Sequence, residues 1–308
     1  MSTPPSKRGK ALWPLGWTGA LADWIAFASL NGGLFTRRQI AAYLRVGRAQ
    51  AHRRVREMTE GKIALEETVE GRRICRITKP RIYKALGLSP TRGRPVLRRH
   101  AAMRRLLTLD YMIDHRRLPW LPTATEKVEA FEALGIARDI LPSRRHGVPD
   151  LGARTAYFQH EYPIALDDDR ARFTFVDPGF SSGESLRRWG RMHRPLWDAL
   201  RERGRAIEVV AAVRSVRELQ RARGTLEHWS RPLRTRASAD GRPAREEIER
   251  IEGAVLRWDD ALIREYGGIR NALRRLADLR RGEGSARTRP TIDVFDTWRS
   301  TRLPGTWL

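Results

Sequence analysis

The sequence predicts an α+β chain in three successive parts: a small helical module closed by a β-hairpin, a mixed α/β sheet domain, and a helical extension. Three observations carry that expectation. Helical spacing of apolar residues over 18–60 gives way to two short β-type runs on either side of Gly71. After residue 147 the pattern turns to alternating and continuously apolar runs separated by a long amphipathic stretch. Beyond residue 245, apolar residues recur at spacings of three and four. The expected boundaries are a flexible leader over 1–17, the first module over 18–88, linker helices and the sheet domain over 97–230, a helical segment over 245–281, and a tail over 282–308.

Composition narrows the class. The 308 residues hold 60 Lys and Arg against 36 Asp and Glu, a formal charge of +24, with an isoelectric point near 11.4. An apolar fraction of 41% with ten Trp is enough for packed cores and excludes a wholly disordered chain. No run approaches the ~18 consecutive apolar residues of a membrane-spanning helix, so no membrane partner is expected. The ALWPLGW stretch is short and broken by Pro14 and Gly16, which makes a poor secretory signal. Cys75 stands alone, which excludes a disulfide framework and a cysteine-based zinc site and suits a reducing, cytoplasmic interior.

The charge is unevenly placed. Residues 1–100 carry 21 Lys and Arg against 6 Asp and Glu, whereas the other 208 carry 39 against 30. No acid lies between Asp23 and Glu57, and all six lysines precede residue 128. A basic surplus concentrated in one module points to a polyanion met by that module.

Element by element, TGALADWIAFASLN (18–31) sets Leu21, Trp24, Ile25, Phe27 and Ala28 on one helical face, and Gly32-Gly33 ends it. Thr36 is an N-cap for TRRQIAAYLRV, and Gly47 suits the tight turn that follows. A third helix over 48–60 puts Ala51, Val55 and Met58 inward, leaving Arg48, Ala49, His52, Arg53 and Arg56 outward with Gln50 and Arg54 on the flanks. The runs 63–69 and 72–78, joined at Glu70-Gly71, read as a hairpin, and PRIYKALG (80–87) as a short closing helix. Three helices and a hairpin are the order of a winged helix-turn-helix, whose second motif helix enters the major groove. Arg37, Arg38, Arg48, Gln50, His52, Arg53 and Arg56, with Arg72 and Arg73 beside the hairpin tip, are therefore the candidate contacts to double-stranded DNA. Guanidinium groups neutralise phosphates and read guanine, and Gln50 suits adenine. The alternative is a protein-interaction module whose arginines only solvate a helix.

A linker over 88–96 precedes a basic amphipathic helix over 97–116, with His100 and His115 near its ends; Pro119 and Pro122 break it, and Thr123 or Thr125 caps another through Gly135. Strands are expected around 146–150, over 156–166 and at RFTFVDPG (172–179), then a long helix to about Gly204 kinked at Pro195, the buried strand AIEVVAAV (206–213), and a helix opened by a Ser215/Glu218 capping box. There is no Walker loop, GxSxG, HExxH or His-hydrophobe-His. Tyr111 beside His115-Arg116-Arg117 is the nearest approach to a recombinase-type nucleophile.

Winged helix, linker helices, a Pro-Asp, a strand ending in an acid and a following helix–strand pair together resemble the plasmid replication-relaxation family over residues 20–225. The matching stretches are Val148-Pro149-Asp150, FVDPGFSSGESLRRW (175–189) and the strand 206–213. The resemblance implies a second domain similar to the PD-(D/E)xK nuclease fold and an accessory DNA-binding role in replication, transfer or transcription control of a bacterial plasmid or integrative element, alongside that element's other proteins. The family's strand carries Glu two residues before its Asp; here Phe175 stands there, with Asp177 and Gly179 retained. A nuclease of that class holds Mg2+ on carboxylates and usually orients water with Lys, yet no Lys follows 127 and Arg191 cannot give up its proton. The implied domain is thus an inactive scaffold with no cofactor. If it is active instead, Asp150, Glu161 and Asp177 are its catalytic acids and Asp150 with Asp177 its Mg2+ ligands. A metal-dependent nuclease and a purely transcriptional repressor stay open.

After a linker over 231–244, Ile248, Ile251, Val255, Trp258, Leu262, Tyr266, Ile269, Leu273 and Leu276 follow a near-heptad interrupted at Gly267-Gly268. That pattern folds back on itself or pairs two protomers as a homodimer. The tail from Gly282 reads as irregular, with Trp298 and Trp307 as anchors.

Overall fold

A computed structural model describes residues 6–69, 72–93, 98–148, 152–158, 162–179, 183–231, 242–256, 259–283 and 290–303. It is a mixed α+β structure with three sheets among the described residues. Its first compact unit joins Met1–His228 to Ile292–Leu308, and its second is Trp229–Thr291.

The leader expected to be flexible is tied down from residue 6. Ser6 caps α1 (Lys7–Lys10) and donates its N–H to Asp23 Oδ1 at 2.9 Å, and Leu12 is fully buried ahead of a 3-10 turn over Trp13–Leu15. Helix α2 (Gly19–Leu30) buries most of its circumference, not one face, because Leu21, Trp24, Ile25 and Ala28 are joined inside by Ala22, Ala26 and Leu30. The short strand β1 (Leu34–Phe35) follows, and Phe35 meets Trp24 edge-on at 5.2 Å. Thr36 opens α3 (Arg37–Leu44) with a complete capping box: its Oγ1 accepts from Gln39 N at 3.3 Å, and Gln39 Oε1 accepts from Thr36 N at 2.9 Å.

The turn after α3 is not made by Gly47. Arg45 takes the left-handed conformation (φ 53), while Gly47 is extended at φ −69 as the N-cap of α4 (Arg48–Glu60). Val46 N donates to Ala41 O at 3.0 Å and Arg45 N to Ala42 O at 3.4 Å, the paired bonds that stop a helix in a Schellman motif. Ala51, Val55 and Met58 are the buried residues of α4, as their spacing requires. Strands β2 (Ala64–Val69) and β3 (Arg72–Ile77) pair antiparallel from Ala64↔Ile77 to Val69↔Arg72, and β1 covers the other edge of β3. Their joining residues, Glu70 and Gly71, lie outside the described residues. Helix α5 (Pro80–Ala85) closes the layer through Tyr83, which donates to Ile77 O at 2.7 Å. A Cβ at Gly33 (φ 72) would lie 2.2 Å from that hydroxyl, so only glycine fits there.

Helix α6 (Arg99–Asp114) departs from its expected role as a basic amphipathic linker, since Ala102, Met103 and every residue from Leu106 to Ile113 are buried. The cause is packing on two sides: Leu109 and Ile113 join the core of the first three helices, while Met103, Leu106 and Leu107 meet Val176, Val210 and Ala212 of the sheet described next. Helix α7 (Ala124–Ala133) starts from a Thr123/Glu126 capping box, and a 3-10 turn spans Arg138–Ile140. Strands β4 (Ser143–Val148) and β5 (Gly152–Tyr157) make a separate antiparallel pair. Then come β6 (Ile164–Leu166), β7 (Arg170–Asp177), α8 (Gly183–Glu202), β8 (Ala206–Val213) and α9 (Val216–Ser230). Glu218 Oε2 accepts from Ser215 N at 2.9 Å, which realises the expected cap of α9.

In the second unit the near-heptad is cut into α10 (Arg242–Leu256), α11 (Asp260–Glu265) and α12 (Ile269–Glu283), with Gly267 and Gly268 at positive φ between the last two. Ile248 and Ile251 pack with Ala272 and Leu276, so the apolar rows of α10 and α12 satisfy each other within one chain.

The tail, expected to be irregular, contributes strand β9 (Val294–Arg299), giving a four-stranded sheet in the order β6-β7-β8-β9. β6 runs antiparallel to β7, and β8 and β9 continue parallel to it. One face takes α6; the other brings Phe173 and Phe175 against Trp197 and Trp189 of α8. Buried His193 lies among these rings and binds Trp189 O through Nδ1 at 2.8 Å; burial pushes its pKa down to about 4. No helix among the described residues is long and apolar enough to cross a membrane.

Candidate nucleic-acid interface

The short turn after α3 sets α4 against it, so the outer face of α4 shares a surface with the start of α3 and the hairpin. An open cleft of about 1010 Å³ lies there. Six of the nine residues singled out from sequence line it: Arg37 and Arg38 from α3, Arg48 and His52 from α4, Arg72 and Arg73 from β3. Ala41 and Ala49 also line the cleft with small side chains. Gln50, Arg53 and Arg56 lie outside the cleft lining, on exposed positions of the same helix. Arg56 also sits 3.6 Å from Glu60 and Arg54 2.9 Å from Glu57, exposed pairs of little energetic weight.

The lining arginines are not equivalent. Arg37 is clamped by Glu66 of β2 through Nε at 2.8 Å and Nη2 at 2.6 Å, and this bidentate bond raises the guanidinium pKa and holds the carboxyl below its usual range. Its charge is therefore compensated, unlike the free cation expected from sequence. Cys75, opposite Glu66 in the hairpin, points its Sγ at the same carboxylate at 3.6 Å, and burial first, then Glu66, pushes the thiol pKa up. Arg38, Arg48 and Arg73 are exposed and make no ion pair among the described residues.

Sequence reasoning missed the far wall. Arg302, beyond β9, lines the cleft beside Leu303. Its guanidinium bonds Asp110 Oδ1 at 2.9 Å through Nη1 and Asp114 through Nη2. Asp110 is wholly buried and also accepts from Ser300 and, at 3.4 Å, from Gln39 Nε2. Burial raises the Asp110 carboxyl pKa; Ser300 and Arg302 oppose that rise. The same Gln39 amide donates to Leu106 O at 2.7 Å, so the capping residue of α3 is bolted to α6. The signal in the sequence was the alternation FDTWRS (295–300), a strand pattern hidden by the assumption of an irregular tail.

The candidate nuclease residues are only partly in view. Asp177 ends β7, is 7% exposed, and accepts from Gly179 N at 2.9 Å through Oδ1. Asp150 and Glu161 lie outside the described residues, as does the Pro149-Asp150 motif. No group of three or more metal-type ligands converges among the described residues. Arg191 pairs with Glu184 on the exposed side of α8. Tyr111 is fully buried, and burial drives its pKa up to about 12, which removes it as a surface nucleophile. No family model, curated protein or solved structure matches this chain.

Proposed function

We propose that the chain is a duplex-DNA-binding protein whose first 88 residues act as a winged helix-turn-helix, with α4 as the reading helix and the β2–β3 hairpin as the wing. The observation that carries the reading is the cleft bordered by α3, α4 and β3, where Arg38 and Arg48 reach solvent without a carboxylate partner among the described residues and exposed Arg73 makes no direct ion pair there, though the Glu66 carboxylate feels its charge. Guanidinium groups of this kind around an open groove favour a ligand with several anionic oxygens, which the phosphates of a nucleic-acid backbone supply. The element order, with β1 added to the hairpin, fits that architecture, and the first helix of the pair then crosses the backbone while the second enters the major groove. The remainder of the first unit serves as a nuclease-like scaffold, and the resemblance to the replication-relaxation family supports an accessory role on a mobile element.

The test is a salt titration of binding to labelled duplex DNA, with the Arg38→Ala/Arg48→Ala double variant alongside. Affinity falls with salt, and the variant lowers the logarithmic salt slope by about 1.8, at ~0.9 for each phosphate left without its arginine. A salt-insensitive affinity overturns the reading. Mg2+-dependent cleavage of the same duplex, abolished in Asp177→Ala, replaces the scaffold role with a nuclease.

A further inference from the structure

Arg302 lines two clefts. Beyond the groove against α4, it also lines a second of about 490 Å³. Arg37, Arg38 and Ala41 of α3 border the first, whereas Ala42 of α3 and Arg45, just past its C-terminus, border the second. The second is basic in its own right, with Arg45, Arg116, Arg117, Arg172 and Arg302 around one carboxylate, Asp114. Several of these charges are engaged. Arg172 lies 2.9 Å from Glu208, Arg302 holds Asp110 and Asp114, and Arg116 donates to Tyr43 O at 3.0 Å. Arg45 and Arg117 are exposed and form no ion pair among the described residues. Arg45 is also held at φ 53, a conformation that favours glycine, so an arginine lines this cleft against local backbone preference.

We infer that this second cleft is a phosphate-backbone site, which extends the footprint of one duplex past the far end of α3. The inference rests on the reading of α3 and α4 as the DNA-binding pair. Helix α3 has eight residues, about 12 Å at ~1.5 Å per residue, which matches three to four base-pair steps measured along the duplex axis at ~3.4 Å each. A helix laid across the backbone thus presents guanidinium groups at both ends to phosphates a few nucleotides apart. The competing role is local: Arg45 and Arg117 follow the C-termini of α3 and α6, where cations offset the helix dipole. That role predicts a loss of stability on their removal and no effect on binding.

The experiment uses the full chain, a labelled mixed-sequence duplex of about 30 base pairs and a salt series, comparing wild type, Arg38→Ala/Arg48→Ala and Arg45→Gly/Arg117→Ala. The last variant is expected to lower the salt slope by about 1.8 and affinity by about 60-fold at ~0.1 M salt, with its thermal midpoint unchanged or raised. If Arg38→Ala/Arg48→Ala weakens binding while Arg45→Gly/Arg117→Ala leaves affinity and slope unchanged, the second site is overturned alone; an acidic protein as its true ligand gives this result. If wild type does not bind the duplex, or both variants leave binding unchanged, the DNA reading falls with it. A lowered thermal midpoint with an unchanged slope assigns the two arginines to helix termini and also overturns the site.

Discussion

Replacing Glu66 with Gln should tighten DNA binding, an outcome opposite to that of most cleft substitutions. In wild type the carboxylate compensates Arg37 through two hydrogen bonds of 2.8 and 2.6 Å, so the pair adds no net charge to the cleft. Gln keeps the shape and one acceptor but removes the negative charge, which leaves Arg37 able to neutralise one further phosphate. That additional phosphate steepens the logarithmic salt slope by about 0.9 and raises affinity by about eightfold at ~0.1 M salt. Both side chains are about three-tenths exposed, at 31% and 28%, so the pair stabilises the fold by only ~0.5 kcal/mol and its loss leaves the protein folded. Arg37→Ala strands the carboxylate at the cleft rim and should weaken binding, whereas Arg37→Ala/Glu66→Gln should return close to wild type. Fluorescence anisotropy across a salt series measures all four proteins, with circular dichroism as a check on folding. A folded Glu66→Gln protein with unchanged affinity and slope would show that phosphates do not approach Arg37, and the cleft would lose its assignment.

Four further outcomes follow from the same geometry. The pKa of His193, about 4 when folded against ~6.5 when unfolded, means the unfolded chain binds more protons between those values; that stability is complete above pH ~6.5 and lost as pH falls to ~4, about 3 kcal/mol in all. Chemical denaturation of His193→Leu should accordingly be flatter with pH than wild type across that window, and equal slopes would refute the burial argument. Asp110→Ala removes the buried acceptor shared by Ser300, Arg302 and Gln39, at a cost of about 3 kcal/mol in urea denaturation; a cost below ~1 kcal/mol would deny it a bridging role. Thr36→Ala opens the capping box of α3 and should cost about 1 kcal/mol by the same assay. Arg45→Gly relieves the left-handed strain and should stabilise by about 0.5 kcal/mol.

Much of the first module was legible because its signals are local. A threonine three residues before a glutamine, an inward triplet at Ala51, Val55 and Met58, and two β-type runs each depend on neighbours within a few positions. Strand β8 was equally plain, since a run of eight residues that is apolar apart from Glu208 suits a strand covered on both faces. Long-range partners were not legible. Nothing near Arg37 announces that Glu66, 29 residues away, faces it across the hairpin. Helix α6 carries enough arginine to read as amphipathic; only the sheet on its second side explains why Leu106 and Leu107 are buried as fully as Leu109. β9 was hidden for a similar reason: parallel pairing with β8 needs a partner more than 80 residues earlier.

The return of the chain through β9 changes what kind of module the first 88 residues form. A winged helix on a flexible linker would leave Gln39 to cap its own helix and nothing more. Here its amide also donates to Leu106 O and Asp110, while Ser300 and Arg302 reach the same carboxylate from the far end of the sequence. Leu34 and Ile74, from β1 and β3, are buried in one cluster with Met103, Val176, Val210 and Leu303. Apolar packing of this kind contributes about 25 cal/mol for each Å² removed from water and does not weaken with salt, unlike surface ion pairs. The α3–α4 pair is therefore held to the sheet by a salt-resistant core and a buried carboxylate, and its orientation is fixed before any ligand arrives. A cleft preorganised in this way loses little conformational entropy on binding, so its affinity depends on the charges that line it. By that argument a change at Ser300, which neither borders the cleft against α4 nor pairs with one of its arginines, should weaken binding by loosening α3 while the salt slope, which counts phosphates, stays as it is.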